Sequence, residues 1–520
     1  MLDYKITGGK VFDGTGGDAV PCDLGIKNGI ITSTGDLSKE ASRGTIDAAG
    51  KCVCPGFIDM HSHSDAFLMI DPSAASKILQ GVTTEVVGNC GASAFPLTEK
   101  NRMPSDWAAQ RYTREWKSAG EYFDALSSAK PAVNVVCLTG HNTLRAAVMG
   151  YDNRPASVEE MHQMEVLLEE CMENGARGIS TGLVYPPGMF TPPGEIKRLA
   201  AVVARRGGIY ATHMRTEGTR LVEAVRETLD IGGSSGVKVQ ISHLKTSGKK
   251  SWHLLNPVLE ILENARSRGM DVTADRYPYT AGYTDLDILF PSWASEGDRK
   301  TVMNRLADSD TRNRLIGEIR DSRDEEDWGF VILASIFSRE FRQFRGRKAA
   351  DVAAEMGCHP SEAIVRILEA DELKTTAFFS GMSEANMMKI LAQPWVMAGS
   401  DASIRNPEGP LGIDYPHPRA YGTFPRFLRM ALDGETVGTG EAIRKMTSLP
   451  ASKLGLKDRG LLKKNNIADV LVFDPASVRD TATYSNPHSF AQGICDVFVN
   501  GQPCVLKGKI TGERTGRILR

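Results

Sequence analysis

No stretch of the 520 residues is long and apolar enough to span a bilayer, and neither a low-complexity tract nor an internal repeat is present. Charge of one sign is also missing. Lys+Arg number 62 against 64 Asp+Glu, a formal charge of −2, so no broad attraction to nucleic acid or an anionic membrane is expected. The opening MLDYKITGGKVFDGTGG lacks the basic segment, apolar run and small-residue cleavage site of a secretory signal. Cysteine is sparse, nine residues scattered singly and odd in number, which argues against a disulfide framework and for reduced thiols in a cytosol. These absences leave a cytoplasmic protein of enzyme size, and 41% hydrophobic residues are enough for an ordinary core.

What is present is an alternation. Eight short β-branched runs are each followed by a helix-like stretch: VCPGFIDM before His61, VTTEVVGN before Cys90, VNVVCLTG before His141, ARGISTG before Leu183, GIYATH ending at His213, VKVQISH ending at His243, DVTADRY ending at Tyr277 and WVMAGSD ending at Asp401. Helices are expected over 157–174 and 256–269, where apolar residues recur at helical spacing. Eight such units fit an α/β fold of (β/α)8 TIM-barrel type, with a doubly wound sheet as the alternative. The barrel gains from the placement of His61, His63, Cys90, His213, His243 and Asp401, all at or just past strand C-termini, the face on which barrels carry their active sites.

Both chain ends read differently, as short strands separated by Gly turns over 1–50 and 465–512. The expected division is residues 1–55 and 451–520 forming a small β-sandwich domain around a barrel at 56–450. The segment between the seventh and eighth strands, around 285–390, is too long for a simple crossover and is expected to be an inserted helical cap with substrate-side loops.

His61 and His63 stand at i and i+2 of an extended chain, so both imidazoles face one side. Alone, such a pair reads as surface or satisfied core histidine. Four of only ten histidines fall at these strand ends, which favours metal ligation. Cys90, in GNCGAS, could be a buried structural thiol. Its flanking Asn and glycines at a strand end instead suggest close backbone approach, and a thiolate with His213 and His243 makes a Cys-His-His set with a fourth position open for catalysis. Asp401, in AGSDAS, is either a turn cap or a carboxylate that moves a proton, and a place opposite the histidines around the ring favours the second.

Here the residues resemble the amidohydrolase superfamily, and within it the D-aminoacylase (N-acyl-D-amino-acid deacylase) family. The resemblance runs almost end to end, through PGFIDMHSHSD, GVTTEVVGNCGAS, ISTGLVYPPG, ATHMRTEG, ISHLKTSG, DRYPYTAG, GSDAS, HPRAYGTFPR and NNIADVLVFDP. It implies zinc-dependent hydrolysis of the amide of N-acyl-D-amino acids, with L-Xaa-D-Xaa dipeptides as a further substrate. One tightly bound Zn2+ would be held by Cys90, His213 and His243, while His61, His63 and Asp401 frame a second, weak or vacant position. Asp401 would be the general acid/base, and Tyr185 would help polarise the scissile carbonyl, although a tyrosine packed near paired prolines is the structural alternative. Lys245, Tyr277 and Arg419 would hold the substrate α-carboxylate.

Two departures stand out. Many relatives carry a small hydroxyl residue just after DxYPYTAG, where this chain has Tyr283, so Thr284 substitutes or the contact is lost. The loop after Asp401, ASIRNPEGPLGIDYPHPR, is longer than in well-known members. Acid-specific relatives place an arginine after the seventh strand, whereas DLDILFPSWASEG here has no base before Arg299, so neutral, mainly hydrophobic side chains are expected. The alternatives are a cyclic-amide hydrolase of the dihydropyrimidinase/dihydroorotase type and a non-catalytic barrel used as a binding module. The first usually bridges two metals with a lysine at the end of the fourth strand, and ARGISTGLVYPPG has none. The second would be expected to lose metal ligands.

Overall fold

The computed structural model describes residues 1–101 and 116–520. Eight short strands are β1 (Phe57–Asp59), β2 (Val82–Val87), β3 (Asn134–Cys137, continued by Thr139–Gly140), β4 (Gly178–Gly182), β5 (Ile209–His213), β6 (Lys238–Ile241), β7 (Val272–Arg276) and β8 (Val396–Ala398). Neighbours in this order pair in parallel. The ring closes where the last strand returns to the first, through a parallel bridge between Ser62 and Ala402 and a hydrogen bond of 2.8 Å from Asp401 N to His61 O. The result is a (β/α)8 barrel.

Helices cover the strands for reasons visible in their sequences. Over Val158–Asn174 the Ser157 hydroxyl accepts from Glu160 N while the Glu160 carboxylate accepts from Ser157 N at 2.8 Å. Together they satisfy two of the helix's orphan donors. Met161, Met164, Leu168 and Cys171 form its buried stripe, and Gly175 ends it at φ 117°. Outward residues of the strands (Ile179, Tyr210, Val239, Ile241, Val272, Val396) pack on Leu199, Val203, Val225 and Leu262 of the surrounding helices, forming one apolar layer.

On the outer side of the β1–β8 seam, under the short helix Ala75–Ile78 that carries Lys77, four charged or polar side chains replace apolar packing. Lys77 Nζ donates to Asp59 Oδ2 at 2.6 Å, to Ser400 Oγ at 2.7 Å and to Ala402 O at 2.9 Å, and lies 3.0 Å from Glu85 Oε1. All four side chains are fully buried. One cation thereby ties together the strands that carry His61, His63 and Asp401.

Both chain ends contribute to a small β-sandwich. Cys52–Pro55 pairs in parallel with Lys10–Val11 and antiparallel with Val470–Phe473, joining N- and C-terminal strands in one seven-stranded sheet. A four-stranded sheet of residues 2–47 faces it across Ile6, Leu24, Ile26, Val53, Val470 and Phe498.

Between β7 and β8 the chain forms helices Arg299–Ala307, Ser309–Asp321, Ala349–Glu355 and Pro360–Ala370, but also a three-stranded antiparallel sheet of Gly282–Asp285, Thr376–Phe379 and Val331–Leu333, which the helical expectation omitted. Leu286, Leu289 and Phe290 of the DLDILF segment pack with Val302, Leu306, Leu315 and Ile319. That run owes its apolar character chiefly to this separate core.

Candidate metal centre

Three candidate residues sit in strained backbone at strand ends. Cys90 has φ 50°, His243 φ 37° and Asp401 φ 50°, a left-handed region that side-chain-bearing residues seldom occupy. Each turn bends the chain just past its strand so that the side chain points back over the barrel mouth. The glycines beside Cys90 allow this. A Cβ on Gly88 would strike the Leu138 carbonyl, and one on Gly91 would strike Asn142 and the Gly182 amide.

Donor atoms of His61, Cys90, His243 and Asp401 all lie within 4.8 Å of one another. Cys90 Sγ is 3.3 Å from His61 Nε2 and 3.5 Å from His243 Nε2, and His243 Nε2 is 3.0 Å from His213 Nδ1. His63 Nε2 and His61 Nε2 approach Asp401 Oδ1 at 3.1 and 3.4 Å. A tetrahedral ion with bonds of about 2.0–2.1 Å to nitrogen and about 2.3 Å to sulfur spaces its donors roughly 3.3–3.6 Å apart. The observed spacings and the sulfur–imidazole donor set therefore suit a borderline-soft ion such as zinc. The tightest four-donor group contains His61 and Asp401, whereas His213 groups with His243 and Glu217. The shared His243 Nε2 joins the two groups into one centre. Asp401 is thus the neighbour of His61 and His63, not opposite them, because closure of the ring puts β8 beside β1.

A carboxylate behind His61 sets its tautomer. Asp275 Oδ1 accepts from His61 Nδ1 at 3.0 Å and from the His243 amide at 2.8 Å, leaving His61 Nε2 free for a metal. Glu217 Oε1 lies 2.8 Å from His243 Nδ1 and 2.5 Å from Lys245 Nζ, and Lys245 Nζ is itself 2.7 Å from His243 Nδ1. The sequence reading missed both carboxylates, although each lies inside a quoted motif, ATHMRTEG and DRYPYTAG.

The electrostatics follow from burial and these partners. Burial alone would raise the Cys90 thiol, but His61 and His243 hold it well below the ordinary thiol range, so it presents a thiolate. Burial would likewise raise Asp401, yet Arg419, His243 and His61 hold its carboxyl well below the ordinary value, leaving a proton acceptor. Burial, followed by the Cys90 thiolate, pushes the Tyr185 phenol well above its ordinary value and keeps it a donor. Tyr185 lies edge-on to His213 at 5.1 Å between ring centroids, and its hydroxyl is 2.9 Å from Thr284 Oγ1. Thr284 therefore reaches the site from the inserted sheet, while Tyr283 Oη turns to Ser335 and Thr376.

Three candidate carboxylate-binding groups surround the same space. Arg419 Nη1 is 2.8 Å from Asp401 Oδ2, and its guanidinium stacks over the Tyr277 ring at 4.6 Å. The buried Tyr277 Oη has no hydrogen-bond partner among the described residues. Lys245, Arg276 and Arg419 pull that phenol below its ordinary value although burial opposes them. Such a collection of buried donors suits an anion. Lys245 and Arg419, which composition alone would place on the surface, are 6% and 2% exposed. The β4 end, Gly182–Leu183, offers no lysine to the centre.

The sequence profile of the Amidohydrolase family matches residues 44–505. D-aminoacylase of Alcaligenes xylosoxydans xylosoxydans is 37% identical over 520 residues, covering 100% of this chain and 97% of the relative. N-acyl-D-aspartate deacylase of the same organism is 36% identical over 523 residues, covering 100% and 95%. The crystal structure of N-acyl-D-glutamate deacylase from Bordetella bronchiseptica, complexed with zinc and a phosphonate mimic of the tetrahedral intermediate, superposes with a TM-score of 0.86 at 33% identity, covering 100% of this chain and 99% of that one.

Proposed function

The chain belongs to the amidohydrolase family, and we propose that it is a zinc-dependent hydrolase that cleaves the acyl amide of N-acyl-D-amino acids to a carboxylate and a free D-amino acid. The observation that carries this reading is the cluster of Cys90, His61, His243 and Asp401 donors within 4.8 Å, joined by His213. Cys90, His213 and His243 would hold the principal ion, and His61, His63 and Asp401 would frame a second position. When bound, zinc supplies Lewis acidity at the barrel mouth.

This chain's residues do the rest. Asp401, kept anionic by Arg419, accepts a proton from the attacking water and returns it to the departing amine nitrogen. Tyr185 donates a hydrogen bond to the scissile carbonyl oxygen, and Thr284 orients its hydroxyl. Arg419, Tyr277 and Lys245 hold the α-carboxylate, which sets the amide against Asp401.

The D-configuration follows the relatives. Neutral side chains are the preferred substrates. Segment 285–298 has no basic residue, and Arg299, the first after it, is paired with Glu372 at 2.8 Å. Discrimination among apolar side chains is expected to be weak. No helix of the described residues is long and apolar enough to cross a membrane, and nine free thiols fit a reducing cytosol. Amine release from N-acetyl-D-leucine, N-acetyl-L-leucine and N-acetyl-D-glutamate tests the proposal: the first is turned over fastest. Turnover restricted to the L-substrate overturns the stereochemistry, and a preference for D-glutamate overturns the side-chain reading.

A further inference from the structure

Arg419 opens the helix Arg419–Leu432, and what fixes its place is not the barrel alone. Its backbone N–H donates to His417 Nδ1 at 3.0 Å. The other ring nitrogen, His417 Nε2, is 3.1 Å from Ala281 O and 3.2 Å from Tyr484 Oη. An accepting Nδ1 and a donating Nε2 define one neutral tautomer. Burial and the neighbouring Arg419 also hold His417 well below its ordinary value. The imidazole is 1% exposed and ringed by Tyr279, Phe378 and Tyr484, with centroids at 5.3, 5.6 and 5.0 Å. It therefore has little room to move.

Tyr484 comes from the C-terminal chain, and the segment around it grips the Arg419 region at four-residue intervals. Asp480 Oδ2 accepts from Tyr279 Oη at 3.2 Å and pairs with Arg426 Nη1 at 3.1 Å. The Tyr484 carbonyl accepts from Tyr415 Oη at 2.8 Å. His488 Nε2 donates to Asp414 O at 3.0 Å, and its Nδ1 is 2.9 Å from Tyr421 Oη. The long loop after Asp401 and the start of the Arg419 helix are thus pinned by chain that follows the barrel.

We propose that His417 and Tyr484 are positioning residues for Arg419, so that recognition of the substrate carboxylate depends on a brace contributed by the C-terminal segment. This rests on the function proposed above. A displacement of about 1 Å in a group that orients substrate can cost ~10²-fold in rate. His417 Nδ1 anchors the backbone from which the guanidinium extends.

The test compares zinc-loaded wild type with His417→Phe, His417→Asn, Tyr484→Ala and Tyr484→Phe. Each is assayed on N-acetyl-D-leucine and on N-acetyl-D-leucinamide, which lacks the carboxylate, with zinc content measured in parallel. His417→Phe is expected to raise KM for the acid roughly tenfold and to lower the acid-to-amide ratio of kcat/KM by a similar factor. His417→Asn keeps an acceptor suited to a helix start and stays close to wild type. Tyr484→Ala lowers the ratio less than His417→Phe, and Tyr484→Phe less again. If His417→Phe misfolds, the two Tyr484 variants decide. A ratio equal to wild type, with both substrates declining together, overturns the inference by showing a purely structural role. Wild type inactive on both substrates overturns the proposed function and the inference with it.

Discussion

Asp401 Oδ2 and Arg419 Nη1 lie 2.8 Å apart, both buried, one just past β8 and the other eighteen residues later at the start of a helix. The same guanidinium keeps the carboxylate charged and, in the proposed reaction, faces the substrate carboxylate. Substitution Asp401→Asn removes the proton acceptor while leaving Cys90, His213 and His243 in place. The expected result is a fall in kcat of about 10²–10⁴ with zinc retained. Steady-state kinetics and metal analysis check it, and undiminished turnover removes Asp401 from proton transfer.

The pH dependence has a definite sign. Burial pushes the Asp401 carboxyl up, and Arg419 is the first of the charges that bring it down. In Arg419→Gln that charge is gone, so the carboxyl rises and the acid limb of kcat/KM moves to higher pH. Stability follows the same direction. Ionised Asp401 contributes above the unfolded carboxyl value of 3.8, and the contribution is lost as pH falls through the lower native value. Superimposable acid limbs in the two proteins contradict this.

Tyr185 is a buried phenol that stays protonated, placed beside His213 and oriented by Thr284. Tyr185→Phe deletes one donor without a change of volume. A drop in kcat of about 10²–10³ with little change in KM is expected if the hydroxyl acts on the developing oxyanion. A rise in KM alone would assign it to substrate binding instead.

Much of this was legible in the sequence because the barrel writes its strands locally. VTTEVV and IYATH are β-branched or aromatic runs that end at reactive residues, and an extended HxH pair states its own geometry. The inserted sheet was not legible. Gly282–Asp285 and Thr376–Phe379 are four residues each, too short to show a period, and they pair across some ninety residues of chain. Asp275 and Glu217 were overlooked because a carboxylate behind a metal histidine looks like any other acid until the fold brings the two together. Lys77 illustrates the same limit, since a lysine tied to Asp59 behind a barrel strand has the composition of a surface residue.

That buried lysine gives a stability prediction. Lys77→Met leaves Asp59 and Glu85 enclosed without a cation, and breaking a buried ion pair in this way typically costs about 3–5 kcal/mol. Denaturant unfolding should show a lower midpoint at unchanged slope. An unaltered midpoint would mean that the β1–β8 seam does not need the network.

The proposed chemistry requires that metal held by a sulfur and two imidazoles drive the hydrolysis. Titrating zinc into metal-free protein, with bound metal and N-acetyl-D-leucine turnover measured on the same samples, tests this most directly. Activity should rise from baseline in proportion to zinc up to one equivalent per chain, and the Cys90→Ala protein should neither bind that equivalent tightly nor turn over substrate. Full activity in the metal-free protein, or a Cys90→Ala protein matching wild type in both zinc and turnover, contradicts it.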